Sequence, residues 1–228
     1  MSATLFLGFV ASMLALVLAV SARFLSGRLR AVVMAGLPAW LVYVGLLGYA
    51  GVIRNTTMRP PGIVFLFVPL AVILVFLILR MRSVAGRRVA LAFPLWILLG
   101  MQCFRVIVEL FLHQLWIEGL IPKMLTFAGA NVDIYIGASA PFVAWAATRG
   151  ESFRKGILVW NVVGLGVLAN VVIRAVLTAP GPMNLVHAEV PNRMIGTFPF
   201  MFIPGFFVPL AVVLHVLAIR ASTASQVS

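Results

Sequence analysis

The sequence predicts an all-α, polytopic membrane protein of seven transmembrane helices. Three observations carry this. The 228 residues are 63% hydrophobic and only 10% charged, with a mean hydropathy of +1.15, whereas soluble domains are ~45–50% apolar. Several apolar stretches reach about 17–25 residues, the length at which a helix crosses ~30 Å of hydrocarbon. The arginines gather in short clusters between those stretches, as basic residues do in cytoplasmic loops. A β-barrel would show ~10-residue alternating segments instead.

The net charge of +12 therefore reads as a topology signal and an attraction to anionic lipid headgroups, not as a nucleic-acid surface. A single cysteine, Cys103, excludes an intrachain disulfide and any CxxC redox or zinc motif. It is expected in the core as a small apolar residue. The whole chain, 1–228, reads as one transmembrane helical domain.

The first predicted span is Thr4–Val20. No basic residue precedes it and Arg23, Arg28 and Arg30 follow, so it reads as a spanning helix rather than a cleaved signal. Ala31–Ile53 and Ile63–Leu79 are the second and third spans, each closing on an arginine, Arg54 and Arg80. The fourth and fifth are Val89–Leu112 and Leu125–Ala147. The sixth and seventh are Gly156–Thr178 and Phe198–Ile219. A Pro- and Asn-rich segment between these last two ends in phenylalanines, and it is expected to lie on the outer surface with its aromatic side at the interface. Asn55-Thr56-Thr57 matches a glycosylation acceptor, a pattern common by chance and discounted so close to a span.

The loops after spans one, three and five and the C-terminus hold Arg23, Arg28, Arg30, Arg80, Arg82, Arg87, Arg88, Arg149, Arg154, Lys155 and Arg220, eleven in all. The other side holds Arg54, Arg59, Lys123 and Arg193, which is four. This asymmetry predicts an N-terminus outside and a C-terminus in the cytoplasm of a bacterial inner membrane.

Residues 67–80 and 207–220, FVPLAVILVFLILR and FVPLAVVLHVLAIR, are identical at nine of fourteen positions. Residues 40–54 and 160–174 share a leading Trp, a Val and a closing Val-Ile-Arg. The matches are collinear, which predicts two parallel repeats, 4–80 and 125–220, joined by the helix 89–112. In transporters with this 3+1+3 plan, substrate sites lie at the repeat interface.

The fourth span carries a file of polar groups. At about 100° per residue, Gln102, Arg105, Glu109 and His113 fall within roughly 80° of one helical face. An isolated Arg or Glu in hydrocarbon costs on the order of 2.5–3.5 kcal/mol, so the file must face protein or a water-filled cavity. Arg105 and Glu109, four apart, are expected to form a salt bridge along the helix. Asn131 and Asp133 on span five, and Asn170 and Arg174 on span six, are expected at a similar depth. The small residues Gly137, Ala138, Ser139 and Ala140 would allow close helix approach there. Two readings stay open: a wall of an outer-half cavity for a small molecule or ion, or a buried ion-pair cluster that only fixes helix register.

Cofactors and catalysis find little support. His215 is expected alone near the inner end of span seven, too far from His113 for bis-imidazole haem ligation. Lys123 and Lys155 sit at predicted helix ends, which argues against a retinal Schiff base. No metalloprotease, nucleophile-elbow or phosphate-loop motif occurs. No cofactor or metal is expected. The expected partners are the lipid bilayer, a small-molecule or ion ligand, and a second copy or other membrane subunit. A structural or accessory subunit is the first alternative, and an intramembrane enzyme or haem protein the second.

Gly-Leu-Ile-Pro at 119–122, Thr-Phe-x-Gly-x-Asn-x-Asp at 126–133, the Asn-bearing sixth span and the closing Pro-Phe…Val-Pro-Leu-Ala helix cover the second half of the chain. In these features the chain resembles a family of bacterial multi-pass membrane proteins of unknown function. The resemblance implies a class, and it carries no substrate or reaction.

Overall fold

The computed structural model describes residues 3–180, 184–192 and 194–224. Arg193, one of the four basic residues on the less basic side, lies outside them. The described residues are helical and irregular, with no strand. In chain order the helices are α1 (Ala3–Phe24), α2 (Gly27–Tyr49), α3 (Val64–Met81), α4 (Val84–Ala92), α5 (Leu95–Gly100), α6 (Phe104–Ile117), α7 (Asp133–Ala146), α8 (Arg154–Leu177) and α9 (Val208–Ala224). Short 3₁₀ turns join α5 to α6 and precede α8, and a π-helical turn, Ile203–Phe207, leads into α9.

Among the described residues, six stretches are long and apolar enough to cross a membrane: Ala3–Phe24, Gly27–Tyr49, Val64–Met81, Leu95–Ile117, Glu151–Leu177 and Ile203–Thr223. The expected fourth span starts six residues late, at Leu95. Pro94 forces Phe93 out of the helical region, to φ −95° and ψ 133°, so Val84–Ala92 becomes a separate short helix. The expected fifth span, Leu125–Ala147, is a helix of only 14 residues, Asp133–Ala146. Its first third is loop.

That loop explains the difference. Pro122 and Gly129 interrupt the apolar run, and the backbone folds on itself: Thr126 N–H donates to Lys123 O, and Gly129 and Asn131 N–H both donate to Thr126 O. Ile121, Leu125, Thr126 and Asn131 are buried. These buried residues lie against protein, the condition on which non-helical backbone is tolerated inside a membrane.

α7 runs antiparallel along α5 and α6. Asp133 meets Arg105, Gly137 packs on the backbone of Val106, and Ala144 lies beside Gly100. A Cβ on Gly137 would stand 2.8 Å from the Val106 nitrogen, so the glycine sets this close approach. The neighbouring Ala138 is exposed.

Two prolines explain how α2 holds its neighbours. Proline in a helix has no N–H for the carbonyl four residues back, and its ring crowds that carbonyl. Pro69 in α3 thus frees the carbonyl of Phe65, which accepts from the Tyr43 hydroxyl at 2.7 Å. Pro209 in α9 frees the carbonyl of Gly205, which accepts from Trp40 Nε1 at 2.7 Å. Both donors lie on α2. The matched Phe-Val-Pro-Leu-Ala sequences therefore share one device, yet their helices occupy unlike places: only 11% of the α3 span is buried against 56% for the span that includes α9.

The core gathers around aromatic rings. Phe6 of α1 lies 5.0 Å from Phe111 and 5.0 Å from Phe200, and Phe9 stacks on Phe207 at 4.8 Å. The phenylalanines at 200–207 thus pack inside the bundle rather than at an interface, because the π-turn carries them inward against α1 and α6. Cys103 is exposed, not in the core: Gln102 and Phe104 take the inward positions on that turn.

Replacing Trp40 with Phe should leave the Gly205 carbonyl without its donor and cost ~1–3 kcal/mol, the usual penalty of an orphaned buried group. Adding Pro209→Ala restores an N–H at position 209 and should recover part of that loss. Thermal unfolding of both variants in detergent checks this. No recovery in the double variant would mean that the two groups are not linked.

Candidate functional site

Arg105 is 1% exposed and lies near the middle of the α5–α6 span. Its Nε donates to Asp133 Oδ2 at 2.8 Å, and its Nη2 pairs with the other carboxylate oxygen. This is the bidentate fork that a guanidinium makes best. Its Nη1 lies 2.8 Å from His215 Nε2. Arginine only donates, so Nε2 accepts, the ring is neutral, and its proton sits on Nδ1. That proton goes to Asn161 Oδ1 at 2.8 Å, and Asn161 Nδ2 donates to the Ile157 carbonyl. The five groups form one chain of bonds across α6, α7, α8 and α9.

Room for it comes from Gly164. A Cβ there would lie 2.4 Å from His215 Cε1, so only glycine admits the imidazole beside α8. The Gly164 carbonyl also lies 3.5 Å from Arg105 Nη2.

Glu109 is not the partner of Arg105, contrary to the i,i+4 expectation. Asp133 on α7 takes the guanidinium, and Glu109 accepts from Asn131 Nδ2 at 2.6 Å. Asn131 Nδ2 also donates to Leu125 O, and its Oδ1 accepts from the Asp133 N–H. Asn131 thus turns the chain into α7 and anchors it to α6 together. Glu109 Oε2 is buried without a partner. Gln102 donates to the Ala211 carbonyl at 3.2 Å, its Oε1 unpaired.

The other predicted residues go elsewhere. His113 stacks on Phe127, ring centres 4.4 Å apart, beside Trp116. Asn170 and Arg174 bond each other at 2.9 Å on α8 and do not join Arg105. His215 and Asn161 belong to the network although the sequence places His215 apart. The signal that could have found His215 was its cost: an imidazole inside a span needs a partner, and Arg105 was the largest buried donor.

The buried network lies behind a cleft of about 850 Å³ between α3, α8 and α9. Leu66, Leu70 and Leu74 form one wall, Leu165, Leu168 and Val172 a second, and Val208 and Val212 the floor. Arg105, Glu109 and Asp133 are not among its lining residues. Three lining positions nevertheless adjoin the network: Leu125, whose carbonyl holds Asn131; Leu165, next to Gly164; and Val212, next to Ala211, whose carbonyl holds Gln102. Buried polar groups thus stand directly behind three positions of the cleft's inner walls.

A double-mutant cycle separates the two candidate partners. Arg105→Met or Asp133→Leu alone should cost ~3–5 kcal/mol, because the remaining charge stays buried and unpaired. The two together should recover much of this, less ~1–3 kcal/mol for the orphaned His215 Nε2. The coupling of Arg105 with Glu109 should be smaller. Larger coupling to Glu109 in detergent melts would overturn the assignment.

Comparison with curated proteins and with solved structures finds no match. The family profile described as "Domain of unknown function (DUF8737)" matches residues 60–221, a stretch that holds α3 and the whole buried network. The chain therefore belongs to the DUF8737 family.

Proposed function

We propose that this chain is a multi-pass membrane protein that binds a small, largely apolar molecule in the cleft between α3, α8 and α9, and that the Arg105 network is the lock that holds the cleft's inner walls. The observation that carries this is the cleft itself. Its volume of about 850 Å³ falls in the ~300–1,000 Å³ range of small-molecule sites, which are mostly apolar with a few placed polar groups. The polar file on α6 supports the register role: its guanidinium is paired, and the described residues leave it no opening to the cleft.

The same reading includes a topology. Residues 118–132 and α7 together complete a crossing, so the chain crosses seven times with the N-terminus outside and the C-terminus in the cytoplasm of a bacterial inner membrane. The eleven-to-four distribution of basic residues supports it. The collinear 3+1+3 repeat is supported by the shared Pro69 and Pro209 arrangement. Side-specific labelling of tags at both ends checks the crossing number. Seven crossings put the tags on opposite faces, whereas six would put them on the same face.

Filling the cleft tests the binding reading. Ala71 and Ala169 line it and are exposed. Ala71→Trp with Ala169→Trp should cut the amphiphile retained through purification at least several-fold, read by native mass spectrometry. Stability should change little, as at exposed sites generally. Val72→Trp with Ile173→Trp, at exposed positions outside the lining, should retain as much as the parent. Equal retention by both pairs would remove the cleft as a site.

A further inference from the structure

The polar residues of the cleft all stand at one end. Arg54, Asn55 and Thr56 come from the turn after α2, and Asn192 from the loop after α8. Everything below them is apolar. A cleft built this way has a polar mouth and an apolar shaft, which is the shape of an amphiphile.

Asn192 says more about the mouth. It is only 5% exposed. Its N–H donates to Thr178 O at 3.2 Å and its Nδ2 to Ala175 O at 3.0 Å, so both the backbone and the amide are fixed to the end of α8. Its Oδ1 is buried and has no partner. An orphaned buried acceptor is destabilising, and a ligand hydroxyl or N–H that reached it would satisfy it. Arg54 supplies the opposite demand. It is exposed, and no described carboxylate forms an ion pair with it. Asn55 cannot neutralise it, and its Oδ1 is already occupied by Thr57 and Met58.

Resting on the cleft reading above, we propose that the ligand is an anionic amphiphile: a long apolar chain in the shaft, a phosphate-ester group against Arg54, and a headgroup hydroxyl donated to Asn192 Oδ1. A guanidinium is the side chain best matched to phosphate. A choline headgroup meets these demands only in part: its phosphate can pair with Arg54, but the headgroup has no hydroxyl to donate and its quaternary ammonium cancels the charge beside the guanidinium. A plain hydrocarbon would leave both groups unmet.

The test uses the whole chain in a neutral maltoside detergent, titrated with diacyl phosphatidylglycerol and phosphatidylcholine of equal chain length, in which only the glycerol headgroup carries hydroxyls, and followed by native mass spectrometry. The glycerol lipid should bind at least tenfold more tightly. Arg54→Gln should reduce that preference to threefold or less, weakening the net-negative glycerol lipid more than the zwitterionic choline lipid. Asn192→Asp, which adds a negative charge at equal volume, should weaken the glycerol lipid further. Inorganic phosphate at millimolar concentration should not compete, because it has no chain for the shaft. Equal binding of the two lipids, insensitive to Arg54→Gln but lost in Ala71→Trp with Ala169→Trp, would overturn the headgroup assignment and leave the cleft standing. Binding that also ignores the tryptophan pair would overturn both. Full competition by inorganic phosphate would replace the amphiphile with a free-phosphate site.

Discussion

The structure depends on one ion pair, Arg105 with Asp133. A guanidinium near the middle of an apolar span is costly, and every feature around it reduces that cost. Asp133 gives two oxygens, His215 a ring nitrogen, and Gly164 the space for the ring. Removing solvent strengthens each of these bonds and raises the penalty for any that is missing. The result is a set of four helices whose relative positions are fixed by polar geometry, in a bundle that otherwise packs largely through apolar side chains.

α2 works by a different rule. Trp40 and Tyr43 find carbonyls that prolines released in α9 and α3. The cleft consequently has walls of two kinds. α8 and α9 are tied to the buried network, whereas α3 is held through Tyr43, a few buried leucines such as Leu66 and Leu70, and the turn to α4. Breaking a side-chain bond near the protein surface costs less than breaking a buried charge pair, so α3 is the compliant wall.

Periodicity and burial cost made much of this legible in the sequence. Composition alone pointed to apolar helices, and the file Gln102, Arg105 and Glu109 follows from 3.6-residue spacing. Asn131 and Asp133 were legible as partners at a similar depth. The identity of the pair was not, because the local i,i+4 option and the non-local option use the same residue types. Only the closeness of α7, set by Gly137, decides between them. His215 was missed because its depth was counted from Phe198, whereas the spanning stretch begins at Ile203. Five residues shift a side chain by about 7.5 Å along a helix. The loop at 125–132 was missed for a related reason: an apolar run reads as a span whether its backbone is helical or folded on itself.

The order of the chain gives the ion pair a history during synthesis. Arg105 precedes Asp133 by 28 residues and His215 by 110. At ~5–20 residues per second, the carboxylate follows the guanidinium by about 1–6 s and the imidazole by about 5–22 s. During the first interval the guanidinium has on its own helix only Glu109, which in the folded chain is bonded to Asn131 instead. The α6–α7 hairpin is therefore the smallest unit that can form the two-pronged pair of Arg105 with Asp133. Its acid arrives on the very next helix, so the pair can close before α8 and α9 exist to complete the network.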